Sequence, residues 1–135
     1  MKINLETAVA FDWLTYQLDR NALGDAFDAG AEKKRFWWAV EQIMDWTRYE
    51  PERSWATIVE IWTRVDHDDL TTLAVLGAGE VEDLLCNYGE DYFPVVERFC
   101  QIEPHFKTVL RFVWQSSMTI ALRQKVQELR GGSNL

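Results

Sequence analysis

Little in this chain offers a covalent or metallic hold on a fold. It has two cysteines, Cys86 and Cys100, and two histidines, His67 and His105. A disulfide framework or structural zinc site needs more ligands at closer spacing, so the expectation is two buried free thiols. Strict polar–apolar alternation with β-branched enrichment is missing, which argues against a sheet. No run approaches the roughly 18 apolar residues of a membrane span. Glu6 and Asp12 interrupt the apolar run a signal peptide would need, so the chain reads as cytoplasmic. Basic residues are few as well: 14 Lys and Arg against 22 Asp and Glu leave a net charge of −8. That balance disfavours nucleic acid and anionic membranes as partners and suits a basic protein.

What is present is apolar and aromatic. Apolar residues make up 47% of the 135, with seven Trp. A chain of this length buries about two thirds of its unfolded surface in one core, so a single domain over 1–130 is expected, followed by a flexible tail at 131–135.

Hydrophobic spacing is helical throughout. A first helix over 5–19 carries two stripes, Leu5, Val9, Trp13 and Tyr16 on one side and Phe11, Leu14 and Leu18 on another. Stripes on two sides predict a helix sandwiched between neighbours. Gly24, Asp25, Asp28 and Gly30 mark a connection over 21–30. A second helix over 31–49 presents Phe36, Val40, Ile43 and Thr47, widened by Trp37 and Met44. Pro51 suits the first turn of a third helix running to 65, with Trp55, Ile58, Val59 and Trp62 inward. Asp66 then reads as an N-cap with Asp69 at N3. Pro94 and Pro104 sit in later opening turns. Phe106, Val109, Leu110 and Val113 line one helical face, and a last helix over 118–130 shows Leu122, Val126 and Leu129. The predicted fold class is all-α: a compact bundle of about six to seven short antiparallel helices, or helical hairpins stacked as in HEAT repeats.

The stretch from Leu76 to Leu85 is the most distinctive. Leu70, Leu73 and Leu76 form a stripe that Gly77 can end, and Gly79 can serve as the next N-cap. Glu80, Glu82 and Asp83 would then lie in a first turn, with Val81, Leu84, Leu85 and Tyr88 along its apolar face and Gly89 at its end. A phosphate cradle is rejected, because no Lys or Ser/Thr follows the glycines and carboxylates already stand where an anion would bind. The reading is a tight corner between helices.

These residues also carry a resemblance. Leu76-Gly77-Ala78-Gly79, Glu82-Asp83-Leu84-Leu85, Tyr88-Gly89-Glu90, Pro104-His105-Phe106, Val113-Trp114 and Met118 resemble an uncharacterised bacterial all-helical domain family with an LGAGxxEDLL core motif. The likeness covers about 55–130 and leaves the part before Pro51 outside. It implies architecture rather than activity.

Two candidate surfaces remain. Trp38 falls opposite the main face of the second helix, in line with Asp45 and flanked by Glu41, Gln42 and Tyr49. An aromatic anchor ringed by carboxylates can dock a basic partner, whereas the bland alternative is that the first helix covers this side. The second surface is acidic. No Lys or Arg occurs between Val65 and Glu97, while Asp66, Asp68, Asp69, Glu80, Glu82 and Asp83 crowd expected helix starts. They would form a negative rim, or simply cap helices on a solvated face. The Asp66–Asp69 corner lacks the ligand alternation and glycine of a calcium loop, so no metal or other cofactor is expected. No nucleophile elbow, H-E-x-x-H or paired-carboxylate signature appears, and no catalytic residue is expected. The leading expectation is a non-enzymatic immunity protein that occludes a basic bacterial toxin domain. A helical scaffold or adaptor is the alternative, with a metal-dependent enzyme or small-ligand binder third.

Overall fold

The computed structural model describes residues 4–24, 31–115 and 117–131, and among these every regular element is helical. The backbone divides into two compact units, 1–66 and 67–135.

In the first unit, α1 (Leu5–Leu23), α2 (Ala31–Tyr49) and α3 (Pro51–Arg64) each pack on the other two. Asn4 caps α1 by accepting the Thr7 N–H at 2.8 Å, so the start falls where the sequence places it. The end lies beyond 19, because Ala22 and Leu23 continue the helix until Gly24 turns left-handed at φ 55° and donates to Arg20 O. The rest of the predicted connection, 25–30, lies outside the described residues.

The Leu5-side stripe of α1 is buried at Val9, Trp13 and Tyr16, whereas of the second only Leu14 is buried. Phe11 and Leu18 are about half exposed, with the Arg64 guanidinium 4.7 Å from the Phe11 ring centre. α1 therefore packs on both α2 and α3, but Phe11 and Leu18 of its second stripe stay partly at the surface. On α2, Val40, Ile43 and Thr47 are inward as expected, while Met44 is exposed. Trp46, a position the stripe omitted, is 2% exposed and carries the Arg53 guanidinium 4.3 Å from its ring centre. Arg53 also pairs with Glu6 at 2.7 Å, tying α3 to α1 across this aromatic.

α2 and α3 are joined by Glu50 alone, and Pro51 at the first helical position makes the sharp turn compatible with helix on both sides. Behind the turn, the buried hydroxyls of Thr47 and Ser54 lie 2.6 Å apart, and Thr47 donates to Ile43 O. Trp13, Trp46 and Trp62 are each at most 2% exposed. Burying a Trp removes about 150–250 Å² from water, about 4–6 kcal/mol before entropy is charged. A surface pair such as Arg64–Glu60 contributes about 0–1 kcal/mol. The tryptophans hold this unit together.

The second unit starts at α4 (Leu70–Leu76), which runs without a break through a π-helical turn (Gly77–Val81) into α5 (Glu82–Ile102). Gly77 keeps right-handed helical angles, φ −69° and ψ −49°, so the glycines do not make the predicted corner. The helix instead widens by one residue, with the Glu82 N–H reaching Gly77 O. Near Gly89 the helix bends rather than ends: Tyr88 leaves the helical region at φ −137° and ψ 37°, and the helix resumes directly. A 3₁₀ turn (Pro104–Phe106), the short α6 (Lys107–Leu110) and α7 (Ile120–Leu129) complete the unit. Phe106, Val109, Leu110 and Val113 are all buried, as their spacing predicts, against a core that includes Leu73, Leu84 and Val126.

Candidate functional site

Trp38 lies in the middle of α2, whose buried face turns toward α1 and α3. Its indole N–H donates to Asp12 Oδ2 on α1 at 2.9 Å. The indole is nonetheless 39% exposed. The neighbouring Trp37 ring packs at a tilt on Tyr16, centroids 5.5 Å apart, which fixes the helix against α1 on this side. One helical turn on, Glu41 and Gln42 lie beside Trp38, and Asp45 follows after the next. Trp38, Glu41, Gln42 and Asp45 line a shallow open hollow of about 410 Å³. Helical spacing alone brings these four together, so the sequence could name them. Tyr49 lies beyond the hollow, 68% exposed, with the Arg48 guanidinium 5.9 Å from its ring centre. Asp12 carries no local signal in the sequence, because its contact spans 26 positions.

The hollow has an indole wall and two carboxylates on its own helix, and the Asp12 carboxylate holds the indole N–H. Such a surface attracts cations: an ammonium or guanidinium within about 6 Å of a Trp face is stabilised by the ring quadrupole, and nearby carboxylates add a charge-assisted bond.

The acidic rim is not assembled as the sequence suggested. Asp69, not Asp66, caps α4, accepting the Thr72 N–H at 3.1 Å and the Thr72 hydroxyl at 2.7 Å. Asp66 and Asp68 are exposed. Because the helix is continuous through Gly77–Val81, Glu80, Glu82 and Asp83 lie within it instead of at its mouth. Glu80 is buried at 8% exposure. Glu82 accepts the Trp114 N–H at 2.6 Å. Burial raises its carboxyl above the ordinary value; the Trp114 bond opposes the shift and Asp83 adds to it. Of these three, only Asp83 is exposed.

His67 and His105, far apart in sequence, stack with ring centroids 5.7 Å apart and planes inclined by 22°. Among the described residues, no three His, Cys, Asp or Glu side chains are grouped to hold a metal ion. No described helix is long and apolar enough to cross a membrane. The cysteines are free; Cys100 is buried and Cys86 half-buried. Burial pushes the Cys100 thiol up to about 11, with Lys107 opposing and Glu97 adding. Burial also raises Cys86, and Glu82 and Asp83 add to the shift. Neither is an activated nucleophile.

No curated protein and no solved structure matches this chain. A family model does match, and it extends further toward the N-terminus than the resemblance read from the sequence, taking in all of α2 and the Trp38 hollow. With residues 28–134 matched, the chain belongs to DUF6869, a family of unknown function.

Proposed function

We propose that this chain is a non-catalytic protein-binding module that docks a basic partner at the Trp38 hollow. In its specific form it is an immunity protein that binds and occludes a cognate bacterial toxin domain. The observation carrying the reading is the half-exposed Trp38 indole beside Glu41 and Asp45, with Asp12 fixed on its edge. A partner Lys or Arg entering there meets an aromatic face and carboxylates at once. Trp anchors of this kind dominate interface energetics, and surrounding acids speed encounter with a basic surface. The overall charge of −8 acts in the same direction at long range. Asp66, Asp68 and Asp83, exposed outside this hollow, contribute to steering rather than to the dock itself.

The test is co-expression with the product of the neighbouring gene, followed by titration of the purified pair. The expected result is a complex and rescue from toxicity. Trp38→Ala should weaken binding by about 2 kcal/mol or more, the usual cost at an anchor. Glu41→Lys, an exposed change that leaves the core intact, should slow association and reduce its salt dependence. Because Trp38→Ala also releases Asp12, its melting curve must accompany the binding data. A complex indifferent to both variants would place the interface elsewhere; neither complex nor rescue would remove the immunity role.

A further inference from the structure

The second unit carries a site of opposite character. A cavity of about 610 Å³ opens between Ala74 and Ala78 on the α4–π-turn run, the segment 111–115, and Gln127 and Arg130 at the end of α7. This falls within the size range of small-ligand sites, about 300–1,000 Å³. Its polar lining is Arg111, Gln115, Gln127 and Arg130; among the described residues no carboxylate lines it, in a chain with 22 of them.

Arg130 is 8% exposed. Its Nη1 reaches Leu110 O only at 3.5 Å, and its Nε has no acceptor among the described residues. With the Gln115 amide oxygen turned toward it, that oxygen accepts from Nη2 at 2.9 Å and from Nη1 at 3.1 Å. A guanidinium has five N–H donors, and these contacts occupy three. Among the described residues the cation is thus buried with neutral acceptors and no counter-charge, an arrangement whose desolvation an anion would offset. Arg111 supplies a second, exposed guanidinium, and Trp114 stands at the cavity 72% exposed, an uncovered aromatic wall.

We infer that this cavity binds a small planar organic anion, its carboxylate or phosphate group on Arg130 and Arg111 and its ring against Trp114. The arginine fork matches both oxyanions in two-point geometry, and an indole face takes a flat apolar body. This site lies wholly in the second unit and uses no residue of the Trp38 hollow, so either assignment can fail while the other stands.

The experiment is a calorimetric and ¹H–¹⁵N NMR titration of the full chain with benzoate, phenyl phosphate, inorganic phosphate and benzylamine. At least one aromatic anion should bind saturably, shifting the Trp114 indole and the Gln115 and Gln127 amide signals. Preference between benzoate and phenyl phosphate identifies which oxyanion the site takes. Inorganic phosphate should bind more weakly than phenyl phosphate, and benzylamine should not compete. Arg130→Gln should weaken binding by about tenfold or more, the loss of a charged hydrogen-bonding pair. Because Arg130 is buried and its variant can unfold, exposed Arg111→Gln and Trp114→Ala provide folded tests and should each weaken binding severalfold. Absence of saturable binding by both aromatic anions, equal binding of benzylamine, or unchanged affinity in Arg111→Gln and Trp114→Ala would overturn the assignment.

Discussion

A methyl group placed on Gly77 would land on the carbonyl oxygen of Val109 and crowd the Phe112 Cβ at 3.1 Å. The π turn and the segment around α6 approach each other backbone to backbone, and only glycine permits it. Two residues on, a methyl group at Gly79 would meet nothing within 4 Å. Gly77→Ala should therefore lower stability by about 1–3 kcal/mol, as overpacking against backbone does. Gly79→Ala should raise it by about 0.5–1 kcal/mol through the cost of glycine in a helix. Chemical denaturation of both variants checks the contrast, and equal effects would mean the approach at Val109 is not tight.

Glu82 predicts a dependence on pH. Burial sets its folded pKa above the unfolded one, so the folded chain favours the protonated carboxyl. The stability it contributes is full below the ordinary carboxylate range and is lost as pH rises through the higher folded value. Glu82→Gln retains an oxygen for the Trp114 N–H and removes the charge. The stability of this variant relative to the parent should rise between pH 4 and pH 7. Denaturation midpoints that track each other across that range would rule out Glu82 as the cause.

The two thiols should react unequally. Cys100 is 1% exposed and raised to about 11, whereas Cys86 is half-buried. With a disulfide reagent at pH 8, Cys86 should be modified first, more slowly than a free thiol, and Cys100 only as the chain unfolds. In Cys86→Ser, the remaining thiol should stay protected until denaturant is added. Rapid modification of that variant in the native state would contradict the burial of α5 at this position.

Local chemistry made the first-unit helices legible. Pro51 and the 3.6-residue stripes act within a few positions, so the starts of α1, α2 and α3 could be read directly. The same short range placed Trp38, Glu41, Gln42 and Asp45 on one surface. Trp46 lies beside Thr47 on an equally buried flank, outside the stripe that the spacing marks.

Chain-distant contacts decided the rest. Gly77-Ala78-Gly79 has the composition of a corner, yet Gly77 stays helical, and its missing side chain leaves room for Val109, 32 residues away in sequence. That choice drew Glu80 and Glu82 into a continuous helix and undid the negative rim expected from them. The sequence alone determined the helical class and the helix face bearing Trp38, since periodicity is a property of neighbours. Only tertiary packing could set Asp12 against that indole and bury Arg130 with no counter-charge among the described residues, because both depend on which distant segments meet.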